Sequence, residues 1–166
     1  MTPEEFYSTV LTPALKKTTK FAPELTNDRS LQVLMMSISG QEANWTERLQ
    51  DPSGLAHGLF QMQLNDIEDI MANTASADIF ELGMKAWGVK TVTAEHLFEL
   101  LTTQEGDSLS VFLARLNLWC NPNPLPAADD QQAQFEYYLN TWRPGAPVPS
   151  RWPSVYGQSL AVVPVQ

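Results

Sequence analysis

The chain has 166 residues, 43% of them hydrophobic and 17% charged, and a formal net charge of −9. That balance suits one folded globular domain with a real core and excludes a disordered chain. It also argues against nucleic acid as a partner, whose phosphates call for clustered Lys and Arg, and no apolar run is long enough to span a bilayer.

The first segment, Thr2-Pro3-Glu4-Glu5, reads as a helix start: a capping hydroxyl, proline in the first turn, acids against the dipole. It lacks the basic start and apolar core of a secretory signal, so synthesis in a cytoplasm without a usual export signal is expected. Phe6, Val10 and Leu11 give this helix its apolar face, and Pro13 limits or kinks it. Phe21 to Asp28 reads as a connection ending in helix caps. A helix then runs from about Ser30, with Leu31, Leu34, Met35, Ile38 and Glu42 on one stripe. Asp51-Pro52-Ser53-Gly54 signals a turn, and Leu59 to Leu64 suits a short strand or an extended loop.

Further helices are predicted from a cap at Asn65 through Ile67, Ile70 and Met71, from Ala77 to Trp87 with Gly88 as the stop, and from Ala94 to Leu101 under a Thr93 cap. Another is centred on Leu109, Phe112, Leu113 and Leu116. Asn121-Pro122-Asn123-Pro124-Leu125-Pro126 makes a stiff connection. The next helix starts near Asp130 and carries Phe135, Tyr138 and Trp142 in a stripe, ending at Arg143-Pro144-Gly145. With strands scarce, the expectation is a mainly α, single-domain architecture over residues 1–145. Residues 146–166 form a Pro-rich tail packed on or extending from it, anchored by Trp152 and Tyr156. Cys120 is alone, which fits a reducing compartment. With His57 and His96 it has no ligand spacing, so no metal and no other cofactor is expected.

Glu42 is the residue that carries chemistry. A carboxylate on the apolar stripe of a core helix is costly to ionise and tends to keep its proton. A carboxylic acid held neutral near pH 7 is what protonating a glycosidic oxygen requires. The bland alternative is a solvated glutamate just past the buried stretch. Downstream, Gly58 permits close backbone approach to a ligand or forms an ordinary turn. Gln61 can bond sugar hydroxyls and an N-acetyl group, or brace the loop as a buried amide. Leu59, Phe60 and Met62 divide between pyranose faces and the core, since successive positions of an extended segment point opposite ways. Tyr138 and Trp142 suit either a groove wall or the core.

The order of core helix, Glu42, turn-rich insert and Gly58-Leu59-Phe60-Gln61 resembles the lysozyme-like superfamily, especially lytic transglycosylases and the small phage and prophage proteins that carry this domain. The likeness spans Leu31 to Gly145. The Pro-rich link at Leu125 and the aromatic helix through Tyr137, Tyr138, Leu139, Asn140 and Thr141 are similar to the phage branch. Three positions depart from the pattern: Ala43 stands where serine usually follows the glutamate, Leu55-Ala56 where Gly-Ala is usual, and Leu139 where a tyrosine commonly approaches the catalytic carboxyl. Tyr137 or Tyr138 is placed to substitute.

The resemblance implies a lysozyme-like fold in which Glu42 is general acid and base. Gly58, Leu59, Phe60, Gln61, Met62, Tyr138 and Asn140 would line a glycan groove. A second carboxylate decides the mechanism. Asp51 is within reach, but its Asp-Pro-Ser-Gly context favours a turn bond to its own backbone, and Glu47 falls off the Glu42 face. A single-acid scheme assisted by the substrate N-acetyl group fits better. The implied function is cleavage of the β-1,4 bond between MurNAc and GlcNAc in peptidoglycan, by hydrolysis or anhydro-forming transglycosylation. The implied protein is associated with the virion, or delivered to the periplasm by phage machinery, with other virion proteins as further partners. The alternative is a non-catalytic virion structural or assembly protein on the same fold. The acidic charge favours it, because an anionic wall does not attract an acidic enzyme.

Overall fold

The computed structural model describes residues 1–50 and 54–165. Asp51, and with it the reading of Asp51 as a second carboxylate, lies outside the described residues. The order is α1 (Pro3–Glu5), a π-helical stretch Phe6–Leu11, α2 (Thr12–Phe21), α3 (Arg29–Ala43), α4 (Leu64–Ala72), α5 (Ala77–Trp87), α6 (Ala94–Leu100), α7 (Asp107–Cys120), α8 (Gln131–Trp142) and α9 (Trp152–Val162). This is a single, mainly α-helical domain, with no strand among the described residues.

The N-terminal helix runs through Pro13 instead of stopping there. Thr12 N–H bonds back five residues to Tyr7 O, and the wider turn of Phe6–Leu11 passes directly into α2. A π-turn placed just before a residue without an N–H lets the helix continue past the missing donor.

Helix α3 is the centre of the molecule. Asp28 starts it, its Oδ1 accepting from Leu31 N at 2.9 Å. Every residue from Leu31 to Gln41 is buried. The stripe read from the sequence is therefore only one face of a helix covered on all sides, by the π-helical stretch, α8 and above all α9. Several polar groups of α3 find partners locally or on neighbouring segments, while Ser39 Oγ and Gln41 Oε1 are buried without one. Gln32 accepts from Tyr7 Oη at 2.8 Å and donates to Asn27 Oδ1 at 2.9 Å, and Ser37 donates to Val33 O at 2.8 Å. Gln41 Nε2 reaches Val148 O at 3.1 Å.

A second buried helix, α7, packs on α2, α4 and α5. Its first turn is fixed by Asp107, whose two oxygens take Arg48 Nε and Nη2 at 2.7 Å each. This fork ties the segment after α3 to the start of α7.

Three local readings are corrected. Leu59 to Leu64 is neither a strand nor an extended loop throughout: Leu59 to Gln61 turn tightly inside paired backbone bonds between His57 and Met62, 2.9 Å in both directions, and Leu64 begins α4. Helix α4 is capped two residues earlier than predicted, by Gln63 in place of Asn65: Gln63 N donates to Asp66 Oδ2 at 2.7 Å, closing the first turn. The last twenty residues hold a helix, α9, where the sequence reading placed only a Pro-rich tail. The anchors themselves are Trp152 and Tyr156, both buried. Tyr156 Oη donates to Ala128 O at 2.8 Å and Trp152 Nε1 to Gln131 O at 3.3 Å.

Candidate active site

Glu42 occupies the last turn of α3 and, unlike the buried residues before it, is only half-buried. Its Oε1 accepts the Tyr138 hydroxyl. Tyr138 comes from α8 and is 1% exposed. Its ring is fixed by stacking on Trp152 of α9 (centroids 5.2 Å apart, planes at 15°) and by Phe135 at 6.0 Å. Three helices thus converge on one carboxyl. Burial pushes the Glu42 carboxyl above its ordinary value; the Tyr138 hydroxyl and Arg151 pull it down, and the charge of Asp66 pushes it up. The Tyr138 hydroxyl is itself driven well above the usual tyrosine value, by burial first and by Glu42 second. It therefore stays protonated and remains a donor.

The backbone after Glu42 is sharply turned. Asn44 and Trp45 both take left-handed conformations, at φ 49° and 57°. Trp45 folds back over Gly40, where a Cβ would lie 2.4 Å from the indole ring, and its Nε1 donates to Met36 O at 2.9 Å. Gly40 is what allows this staple, and the staple sets where α3 ends. Arg151 Nη2 bonds Asn44 Oδ1 at 3.2 Å, placing a positive charge at the helix C-terminus. The other non-glycine residues with positive φ are Gln61 and Arg143. One lies in the loop after Gly58 and one at the end of α8, the helix that carries Tyr138. Such conformations cost about 1–3 kcal/mol each and gather at functional sites.

The Gly58–Met62 loop does not floor a groove as the sequence reading expected. Leu59, Phe60 and Met62 are fully buried in the core, so they offer no surface to a sugar ring. Phe60 packs at 6.2 Å from Phe6. Gly58, at φ +80°, is required by packing: a Cβ there would sit 2.8 Å from Ser110 Oγ and 3.0 Å from Leu101 Cβ. Gln61 braces the loop, its Nε2 donating to Gly58 O at 2.9 Å and to Glu47 O at 3.4 Å. Tyr138 holds the candidate acid instead of lining a groove. It fills the role for which the sequence offered Tyr137 or Tyr138, while Tyr137 bonds Leu118 O and Asn123 O at 3.3 and 3.2 Å.

A groove of about 640 Å³ lies between α4, the end of α7 with its following turn, and the end of α8; neither Glu42 nor Tyr138 is on its lining. Asn65, Asn117, Asn123 and Asn140 line it, and no side-chain hydrogen bond engages any of their amides among the described residues. Of the residues that the sequence offered for a groove, Asn140, exposed on the wall, and Trp142 are on this lining. Asp66 and Arg143 stand on the same lining. Asp66 closes the capping box at the start of α4.

His57 stacks on Phe98 at 3.6 Å and donates from Nδ1 to Phe98 O at 2.9 Å, a structural role. Among the described residues no group of His, Cys, Asp and Glu side chains could hold a metal ion, and no helix is long and apolar enough to cross a membrane. No protein-family model, no curated protein and no solved structure matches this chain.

Proposed function

We propose that this chain is a peptidoglycan-cleaving domain of phage type, a muramidase or lytic transglycosylase on a lysozyme-like fold, that cuts the β-1,4 bond between MurNAc and GlcNAc. The observation that carries the reading is the Glu42–Tyr138 pair, a carboxyl raised by burial and held in one orientation by a hydroxyl that stays protonated; the groove that ends at Asn140 on the same helix as Tyr138 carries unengaged carboxamides. Carboxamides offer donors and acceptors together and suit the hydroxyl and acetamido groups of a neutral glycan. The resemblance of the Glu42 and Gly58-Leu59-Phe60-Gln61 segments to lytic transglycosylases supports it independently.

In this reading Glu42 keeps its proton in the resting enzyme and delivers it to the glycosidic oxygen as the bond to the anomeric carbon breaks. With Oε1 engaged by Tyr138, Oε2 is the oxygen that carries the proton. Asn140 and its neighbours hold the sugars. A virion or lysis assembly brings the acidic protein to the anionic wall, since its charge provides no attraction.

The burial of Leu59, Phe60 and Met62 favours a second reading, a non-catalytic virion protein that keeps the core of such a domain and has lost its groove floor. Zymography on purified peptidoglycan with wild type and Glu42→Gln decides between them. Clearing by the wild type alone supports the enzyme; an intact wall under both supports the structural protein.

A further inference from the structure

We infer that the carboxamide-lined groove is a glycan-holding site in its own right, which grips a neutral N-acetylated sugar chain away from the Glu42 centre and takes no part in the cut. The choice of ligand stands on the lining alone; its service to the cutting of a wall rests on the proposed glycan-cleaving function.

The two places are distinct in the fold. The groove is walled by α4, by the end of α7 with its following turn, and by the last turn of α8. Helix α3, which carries Glu42, supplies none of its lining among the described residues. Tyr138 is 1% exposed and offers no surface to a ligand.

The walls are braced by bonds of their own. Asn121 Nδ2 donates to Thr141 Oγ1 at 2.8 Å, which ties the turn after α7 to α8, and Asn121 Oδ1 accepts Asn123 N at 3.0 Å. Trp119 Nε1 donates to Ala75 O at 3.1 Å and Cys120 Sγ to Ser76 Oγ at 3.5 Å, which ties α7 to the segment between α4 and α5. A cleft formed in advance loses little binding free energy to ordering. Its volume of about 640 Å³ lies within the range of about 300–1,000 Å³ usual for ligand sites.

Within this frame the amides divide into engaged and unengaged. Asn121 is used by the frame, and Asn73 Oδ1 accepts Ala75 N at 2.9 Å. Asn65, Asn117, Asn123 and Asn140, drawn from all three walls, have no side-chain hydrogen bond among the described residues. Each presents a donor and an acceptor side by side. A sugar hydroxyl likewise donates and accepts, and an acetamido group pairs with a carboxamide in both directions. Trp142 supplies the other half of sugar recognition. Its Nε1 is committed to Phe60 O at 2.9 Å, so what the half-buried indole has left for a ligand is hydrocarbon, which suits the C–H face of a pyranose. The charges on the lining are Asp66 and Asp69 against Arg143. Carboxylates in excess disfavour an anionic polymer, and a cation would leave the carboxamides idle. A neutral glycan uses them.

The test is titration of the full chain with tetra-N-acetylchitotetraose, followed by heteronuclear NMR of the side-chain amides. It is run on wild type, on Glu42→Gln, which cannot turn the ligand over, and on an Asn123→Ala, Asn140→Ala double variant. Asn123 and Asn140 are exposed, so the double variant is expected to fold, and its spectrum checks this. Saturable shifts are expected at the carboxamide signals of Asn65, Asn117, Asn123 and Asn140, with the same affinity in wild type and Glu42→Gln. The double variant is expected to bind about tenfold more weakly. Shifts confined to the surroundings of Glu42, with the groove amides unmoved, overturn the inference and leave Glu42 as acid standing. So does a double variant that binds as wild type does, or an affinity that disappears in Glu42→Gln. Absence of any binding overturns it too, while cleavage of peptidoglycan is still decided by zymography. Groove binding by a chain that leaves purified peptidoglycan intact upholds the inference and removes the cleaving function. Because the wild-type amide signals report the site by themselves, misfolding of the double variant does not protect the claim.

Discussion

Tyr138→Phe isolates the contact on which the site is built. The change removes one hydroxyl and keeps the ring, so the stack on Trp152 and the contact with Phe135 survive. What is lost is the bond from Tyr138 Oη to Glu42 Oε1. A hydrogen bond to an ionised group contributes about 1.5–3 kcal/mol, and one between neutral groups about 0.5–1.5 kcal/mol. The cost of the substitution should therefore depend on pH. Below the Glu42 titration the loss is about 1 kcal/mol, and above it about 2 kcal/mol. The sign agrees with the charge balance at Glu42: the hydroxyl lowers its pKa, so removing it lifts an already raised value further. Urea denaturation of wild type and variant at pH 4 and pH 8 reads the difference directly. In a Glu42→Gln background the same substitution should cost about 1 kcal/mol at both pH values. An equal loss at both pH values in the native background would refute the coupling, and so would a pH-dependent loss in the Glu42→Gln background.

Three further outcomes are expected. Because the folded-state value of Glu42 is raised, its contribution to stability is full below the ordinary value of 4.5 and is lost as pH rises through the raised value; Glu42→Gln should match wild type in denaturant at pH 4 and exceed it at pH 8, and carboxyl NMR should place the Glu42 titration above that of a free glutamate. Gly58→Ala combines a positive φ with close contacts to Ser110 and Leu101 and should cost about 2–4 kcal/mol in thermal or chemical unfolding; a neutral result would mean that the loop repacks freely. Gln61→Ala removes the loop brace to Gly58 O and Glu47 O and should cost about 1–2 kcal/mol with little change in chitooligosaccharide affinity by calorimetry; a large loss of affinity at unchanged stability would return Gln61 to the groove.

The sequence was most legible where local chemistry and burial point the same way. Asp28, Thr93 and Asp130 each cap the helix that follows them, and Gly88 ends α5 in the left-handed conformation that suits glycine. Glu42 was found from Leu31, Leu34, Met35 and Ile38, yet that stripe could not reveal that Gln32, Ser37 and Gln41 are buried too. The covering surface comes in large part from α9, more than a hundred residues later, and nothing within α3 encodes it. Helix α9 was missed because its prolines and aromatics read as a tail; Pro153 in its first turn is a helix-start signal. Gly58 and Gln61 each allowed a ligand reading and a packing reading, and the packing reading holds for both, since Ser110, Leu101 and Glu47 meet them from distant segments. Tyr138 was picked out by its aromatic stripe, but only the stack on Trp152 directs its hydroxyl at Glu42.

The most direct measurement is digestion of purified peptidoglycan by folded wild type and by Glu42→Gln at matched concentration, followed over pH with release of soluble fragments as the readout. A positioned acid is worth roughly a hundredfold to ten-thousandfold, so the wild type should cleave and Glu42→Gln should fall by that factor while remaining as stable or more so. The wild-type rate should decline on the alkaline side as Glu42 loses its proton. Wild-type protein that leaves the wall intact, or a Glu42→Gln variant that cleaves as fast, would contradict the assignment of Glu42 as the acid.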